Sequence, residues 1–215
     1  DMYALVEDNQ VLLGPIGFNY RLINSVLEEE LEIPNRVSSL DYRRVPFNIT
    51  DNVRIIPAKN EEPFEFDPFC HIKTGPTVAV YDNEAVFTYS KQDKPLEQVK
   101  EEYKSLVSPV RKRKENEHIN LTVNDTEIIV SLSRGIRASL TTKLISSDGP
   151  YNFKFSGDNW ILVTKENLQY IVTKIDEKVQ ELFDWELDKK REIDTCTSVE
   201  EIRNVVINEN LLSIE

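Results

Sequence analysis

KENLQYIVTKIDEKVQELFDWELDKKREID, residues 165–194, is the stretch whose reading decides the fold. Its apolar residues Leu168, Ile171, Val172, Ile175, Val179, Leu182, Phe183 and Leu187 return every three or four positions, which marks one face of an α-helix. Thr164 is placed to cap the start, Glu166 suits the positive first turn, and Lys189, Lys190 and Arg191 suit the negative last turn. At 1.5 Å per residue this helix runs roughly 45 Å, beyond the usual three turns, so it needs a large surface to pack against.

The chain on its N-terminal side supplies a candidate surface. Residues 119–123 and 127–131 flank Asn124-Asp125 as one hairpin, and 151–155 and 160–164 flank Ser156-Gly157-Asp158-Asn159 as another. Between them Ile136, Leu140 and Leu144 lie one turn apart, with Ser131 or Ser133 as cap, before the turn at Ser147-Asp148-Gly149-Pro150. Strand alternation puts Tyr151, Phe153 and Phe155 on one face, which reads first as core under the helix and second as interface. After the long helix, Ser198 and Glu201 form a capping box ahead of Val199, Ile202, Val205 and Val206. Two hairpins interleaved with helices predict one antiparallel sheet with its helices on one face. Beyond Leu182 the long helix should overhang it and pack on the closing helix or on another subunit.

Further upstream, Leu96, Val99, Tyr103, Leu106 and Val110 form a heptad-like seam on a helix starting at Lys94, which Pro109 should bend or end. Arg111, Lys112, Arg113 and Lys114 follow and read as a solvated helix end meeting the negative dipole. Toward the start, 3–6 and 10–13 form a hairpin about Asp8-Asn9, and Phe18, Leu22, Ile23, Val26, Leu27 and Leu31 form a helix stopped by Pro34. Residues 77–81 and 85–89 form a hairpin about Asp82-Asn83-Glu84. From 36 to 73 four prolines interrupt any periodicity, 53–56 is the one clear strand, and Phe64, Phe66 and Phe69 read as anchors of a loop. The fold class is therefore α+β, with small antiparallel sheets packed with long amphipathic helices. Two domains are joined by a helix: 1–93, an attachment domain; 94–117, the connecting helix; and 118–215, which carries the long helix.

The 215 residues are 40% hydrophobic and 30% charged, enough apolar material for packed cores. A net charge of -12 repels phosphate backbones and anionic lipid, so nucleic acid and membranes are excluded as partners and basic or neutral protein surfaces are favoured. No run of about 18 apolar residues occurs, and Asp1-Met2-Tyr3-Ala4-Leu5-Val6 lacks the basic region of a signal peptide, which points to a soluble product made in the cytoplasm. The potential metal ligands and nucleophiles are sparse: Cys70, Cys196, His71 and His118. Adjacent Cys70 and His71 point apart in an extended chain, so they cannot act as nucleophile and base. The six glycines each stand in turns and make no phosphate loop. The sequence thus predicts no enzyme chemistry, no metal site and no cofactor.

The path Ile119-Asn120-Leu121-Thr122-Val123-Asn124-Asp125, Ser133-Arg134, Gly149-Pro150, Asn159-Trp160-Ile161-Leu162-Val163-Thr164, Phe183-Asp184-Trp185-Glu186 and Ser198-Val199-Glu200-Glu201-Ile202 resembles an uncharacterised domain. That domain is common at the C-terminal ends of bacteriophage tail-fibre and tail-associated proteins, and the resemblance covers roughly residues 111–206. Asn120 and Asn124 stand where its members often carry glycine. Met2-Tyr3-Ala4-Leu5-Val6 is similar to the starts of small phage proteins encoded beside tail fibres. The resemblance implies a virion tail component made in the host cytoplasm, with fibre or baseplate proteins as partners, and supplies no catalytic residue. Together with the two seams it predicts a structural subunit that self-associates, with a trimer as one candidate state, through Leu96, Val99, Tyr103 and Leu106 or through Val172, Ile175, Val179 and Leu182. Trp185 is expected at the meeting point between subunits. The alternatives are a tail-fibre assembly chaperone absent from the mature virion, and a receptor- or carbohydrate-binding tip using the aromatic hairpin.

Overall fold

The structure is a computed structural model describing residues 1–34, 36–146, 148–156 and 159–213. The chain has the α+β class the pattern predicts, and it divides into two compact units, Asp1–Lys94 and Pro95–Glu215.

In the first unit, β1 (Met2–Glu7), β2 (Gln10–Ile16), β3 (Phe47–Asn48), β4 (Val53–Glu61), β5 (His71–Val80) and β6 (Ala85–Asp93) form one sheet of order β2-β1-β4-β6-β5, with β3 paired to β4. β4 and β6 run parallel and the other neighbours antiparallel. The apolar run in β1 is buried on both faces. Leu5 joins Val53, Ile55, Ile23 and Leu27 under helix α1 (Tyr20–Leu31), whereas Ala4 and Val6 join Ile56, Ala85 and Phe87 on the other side. Fully burying one such Leu or Ile contributes about 1.5–3 kcal/mol, so these two clusters hold the sheet. The strands outrun the expected 53–56, 77–81 and 85–89. Pro57 is tolerated because it falls in the gap between the β3 and β6 pairings, where its missing N–H costs no ladder bond. Of the loop aromatics, Phe69 is buried, Phe66 lies against His71 and Phe64 is exposed.

The second unit opens with two helices where one connecting helix is expected over 94–117: α2 (Leu96–Lys104) and α3 (Val107–Lys114). A continuous helix would drive the Pro109 ring into the carbonyl of Ser105, and the break falls there, leaving Pro109 in the first turn of α3. Both helices belong to the second unit and line its long helix.

Next come the hairpin β7 (His118–Val123) with β8 (Thr126–Ser131), helix α4 (Arg134–Ser146), and the hairpin β9 (Tyr151–Ser156) with β10 (Asn159–Val163). Asn124 and Asp125 both take left-handed φ of 49° and 59°, as a tight two-residue hairpin turn requires. The two hairpins are separate two-stranded sheets, a correction to the single sheet expected. The other expected turns, at Ser147 and at Gly157-Asp158, include residues outside the described ones.

The long helix α5 (Lys165–Thr195) carries the capping box its start needs: Asn167 N donates to Thr164 Oγ1 at 3.1 Å and Thr164 N to Asn167 Oδ1 at 3.2 Å. Asn167 also exchanges amide bonds with Asn124, tying the first hairpin's turn to the helix entry. Leu168, Ile171, Ile175 and Val179 form one core with Val123, Ile128, Val130, Leu132, Leu140 and Val163. Along the second half, α2, α3 and the closing helix α6 (Val199–Asn208) take the place of an outside partner, burying Leu182 and Ile193 with Val99, Tyr103, Val107, Ile202 and Val206. Among the described residues no helix is long and apolar enough to cross a membrane.

Candidate functional site

Strand alternation splits the β9–β10 hairpin into two unlike faces. Inward, Tyr151, Phe153, Phe155, Ile161 and Val163 pack on the core cluster, as the aromatic spacing predicts. Outward, Trp160 is 63% and Leu162 53% exposed, two positions apart on one strand and therefore side by side. Their cross-strand partners are Lys154 and Asn152, also exposed, and the Lys154 ammonium stands 5.9 Å from the Trp160 ring centre. The result is a flat apolar centre with a polar edge.

The residues assigned to subunit seams mostly serve the chain's own core. Val99, Tyr103, Ile175, Val179 and Leu182 are buried, and Leu96, Leu106, Val172 and Trp185 are half-buried. Heptad spacing produces an apolar stripe whether the covering elements come from the same chain or another; here the two hairpins and α4 cover Ile175 and Val179, and α2, α3 and α6 pack with the later turns of α5. Trp185 is also satisfied locally: its Nε1 donates to Glu209 Oε2 at 3.1 Å and the Lys114 ammonium sits 4.2 Å from its ring centre. Burial raises the Glu209 pKa, but bonds from Lys189 and Trp185 outweigh it and leave the carboxyl below its ordinary value. In the second half of α5, Phe183 at 44% and Leu187 at 48% exposure stay open, one turn apart on the helix.

The basic run is not a solvated helix end, which corrects that expectation for three of its four members. Arg113 donates to the Ser213 carbonyl at 2.6 Å and Lys114 covers Trp185. Arg111 is buried, bonds Glu115 and Glu186, and lays its guanidinium 4.2 Å from the Phe183 ring centre. Glu186 in turn accepts from Ser108 and, at 2.6 Å, from Lys190. Burial raises the pKa of Glu186, yet the bonds from Lys190, Ser108 and Arg111 prevail and lower it from 4.5 to about 2. A half-buried carboxylate with three donors stays ionised, as it must to balance Arg111 and Lys190. Sequence reasoning missed this network because its halves lie far apart in the chain, although the Arg111–Glu115 spacing of four residues was a visible hint.

The sparse His and Cys residues are engaged separately. His71 Nδ1 accepts from Asp67 N at 2.9 Å, and its Nε2 stands 3.4 Å from Asp93. Cys196 is buried with its Sγ 3.3 Å from the Glu192 carbonyl, and burial, aided by Glu201 and Glu192, pushes its thiol pKa up, away from a reactive thiolate. Among the described residues no group of three His, Cys, Asp or Glu is placed to hold a metal ion. Comparison with protein families, with curated proteins and with solved structures returns no match.

Proposed function

We propose that the chain is a structural component of a bacteriophage tail, a tail-fibre or baseplate-associated subunit, that works by holding a neighbouring protein on the outer face of the β9–β10 hairpin. The observation that carries the binding part is the side-by-side exposure of Trp160 and Leu162. A single exposed apolar residue is ordinary on a protein surface. A tryptophan beside a leucine, edged by Lys154 and Asn152, has the make-up of an interface centre with its polar rim. The open Phe183 and Leu187 pair gives the same unit a further apolar contact. The tail context is supported by the resemblance over residues 111–206.

The test is a binding comparison. The double variant Trp160→Ala, Leu162→Ser keeps Trp185 as a fold reporter and should retain its fluorescence spectrum and cooperative unfolding. It should lose at least ten-fold in affinity for the fibre or baseplate protein that the parent chain binds. Unchanged affinity would remove the hairpin from the interface.

The same face favours one other reading, a carbohydrate-binding tip, because an exposed indole flanked by an amide and an ammonium can stack on a sugar ring and bond its hydroxyls. Glycan-array binding by the parent chain that the double variant loses would select it. A chaperone role in tail-fibre assembly predicts the same protein contact but no copy of the chain in finished particles.

A further inference from the structure

Between the end of α3 and the start of α4 lies a cavity of about 390 Å³ lined by Lys112, Glu115, Asn116, Arg134 and Arg137. We propose that this cavity binds a phosphate group, either the free ion or the phosphomonoester end of a small molecule. The proposal is independent of the hairpin interface.

Charge makes the first argument. Three of the five lining side chains are cations, and the one carboxylate, Glu115, is buried and already spoken for: Arg111 bonds its Oε2 and Arg137 Nη2 stands 3.4 Å from its Oε1. Glu115 therefore neutralises the wall and offers little negative charge to the cavity. The lining itself sets three cations (Lys112, Arg134 and Arg137) against Glu115, an excess of 3 − 1 = 2 positive charges. This stands out in a chain of net charge -12.

Unmet hydrogen-bonding capacity makes the second. Lys112 and Arg134 are exposed and form no ion pair among the described residues. Arg137 Nε is buried and has no acceptor among the described residues, a state that costs free energy until an acceptor arrives. Asn116 spends one amide hydrogen on the Lys112 carbonyl at 3.0 Å and keeps the other. Arg134 and Arg137 share a face of the first turn of α4, which carries no acidic side chain, so the positive end of the helix adds to the same field.

Shape selects the ligand class. Guanidinium forks match phosphate oxygens two at a time, and a tetrahedral oxyanion presents acceptors to cations converging from α3 and α4 together. The volume lies within the roughly 300–1,000 Å³ of small-molecule sites, which leaves room for a small organic body behind the phosphate.

The experiment is a ³¹P NMR titration of the full chain with inorganic phosphate and with glycerol 3-phosphate, at fixed ionic strength set by chloride. Saturable binding is expected, weakened at least five-fold in Arg134→Gln and in Lys112→Gln. Both variants should fold as the parent does, because neither side chain has an ion-pair partner among the described residues to lose. Lys174→Gln, which removes a half-buried cation of α5 that does not line the cavity, should leave binding unchanged. Tighter binding of glycerol 3-phosphate assigns the site to a phosphomonoester, and equal affinity assigns it to the free ion. Absence of saturable binding, or equal weakening by all three substitutions, overturns the proposal.

Discussion

Replacing Glu186 by glutamine removes the one charge on which Ser108, Arg111 and Lys190 converge. The carboxyl titrates at about 2 in the folded chain against an ordinary 4.5, and at 1.36 kcal/mol per pH unit that difference corresponds to about 3 kcal/mol. A carboxylate pKa depressed by folding stabilises the folded state fully above the unfolded value, and the stabilisation fades as pH falls toward the folded one. The contribution should be about 3 kcal/mol at pH 7, about 2 at pH 3.5 and under about 0.5 at pH 2. Glutamine keeps an acceptor for Ser108 and Arg111 keeps Glu115, so about 3 kcal/mol is a ceiling. Urea denaturation followed by tryptophan fluorescence reads the right region, because Trp160 and Trp185 both lie in the second unit. The expected result is a gap between parent and Glu186→Gln that is largest at neutral pH and narrows below pH 4. A gap that stays constant down to pH 3, or one absent at pH 7, would refute the reasoning that an ionised Glu186 balances the buried Arg111.

Three other substitutions test the local arguments. Thr164→Ala removes the side-chain half of the capping box on α5 and should destabilise the second unit by about 1 kcal/mol in the same urea assay. Gly135→Ala should stabilise that unit by about 0.5 kcal/mol, since a Cβ there meets nothing within 4 Å among the described residues and alanine is the better helix former in α4. Gly14→Ala should cost at least about 2 kcal/mol in the first unit, because φ is +129° and the added Cβ would stand 2.7 Å from the Tyr3 carbonyl oxygen. Calorimetry should show that loss, with the tryptophan transition of the second unit unmoved.

What the sequence made legible follows the range of the forces involved. The long helix, its Thr164 cap and both hairpins of the second unit rest on spacing and on neighbours within a few residues, and the structure holds them where the pattern puts them. The closing capping box was half right: Glu201 N donates to Ser198 Oγ, but the Glu201 carboxylate turns to Thr197 N. Strand extents in the first unit were hidden because residues at the far ends of β5 and β6, such as Lys73 and Gln92, are exposed and polar, so no alternation marks them. The seam residues show the limit most clearly. Apolar spacing on α2 and α5 told which faces were covered, and nothing in it told whose helices would cover them. Burial of Arg111 depended on Glu186, 75 residues away, a pairing that no local pattern encodes. The outward turn of Trp160 was implicit in strand alternation, since Tyr151, Phe153 and Phe155 claim the inner face and leave the other to Trp160 and Leu162.

The outer face of the β9–β10 hairpin is the proposed contact with a neighbouring protein of a phage tail. Amine-reactive cross-linking and mass spectrometry of purified phage particles test it most directly, because Lys154 lies on that face beside Trp160. The account predicts peptides of this chain in fixed copy number, with Lys154 joined to a different tail-fibre or baseplate protein. Particles without the chain, or particles in which Lys154 is joined only to lysines of its own chain, would contradict it.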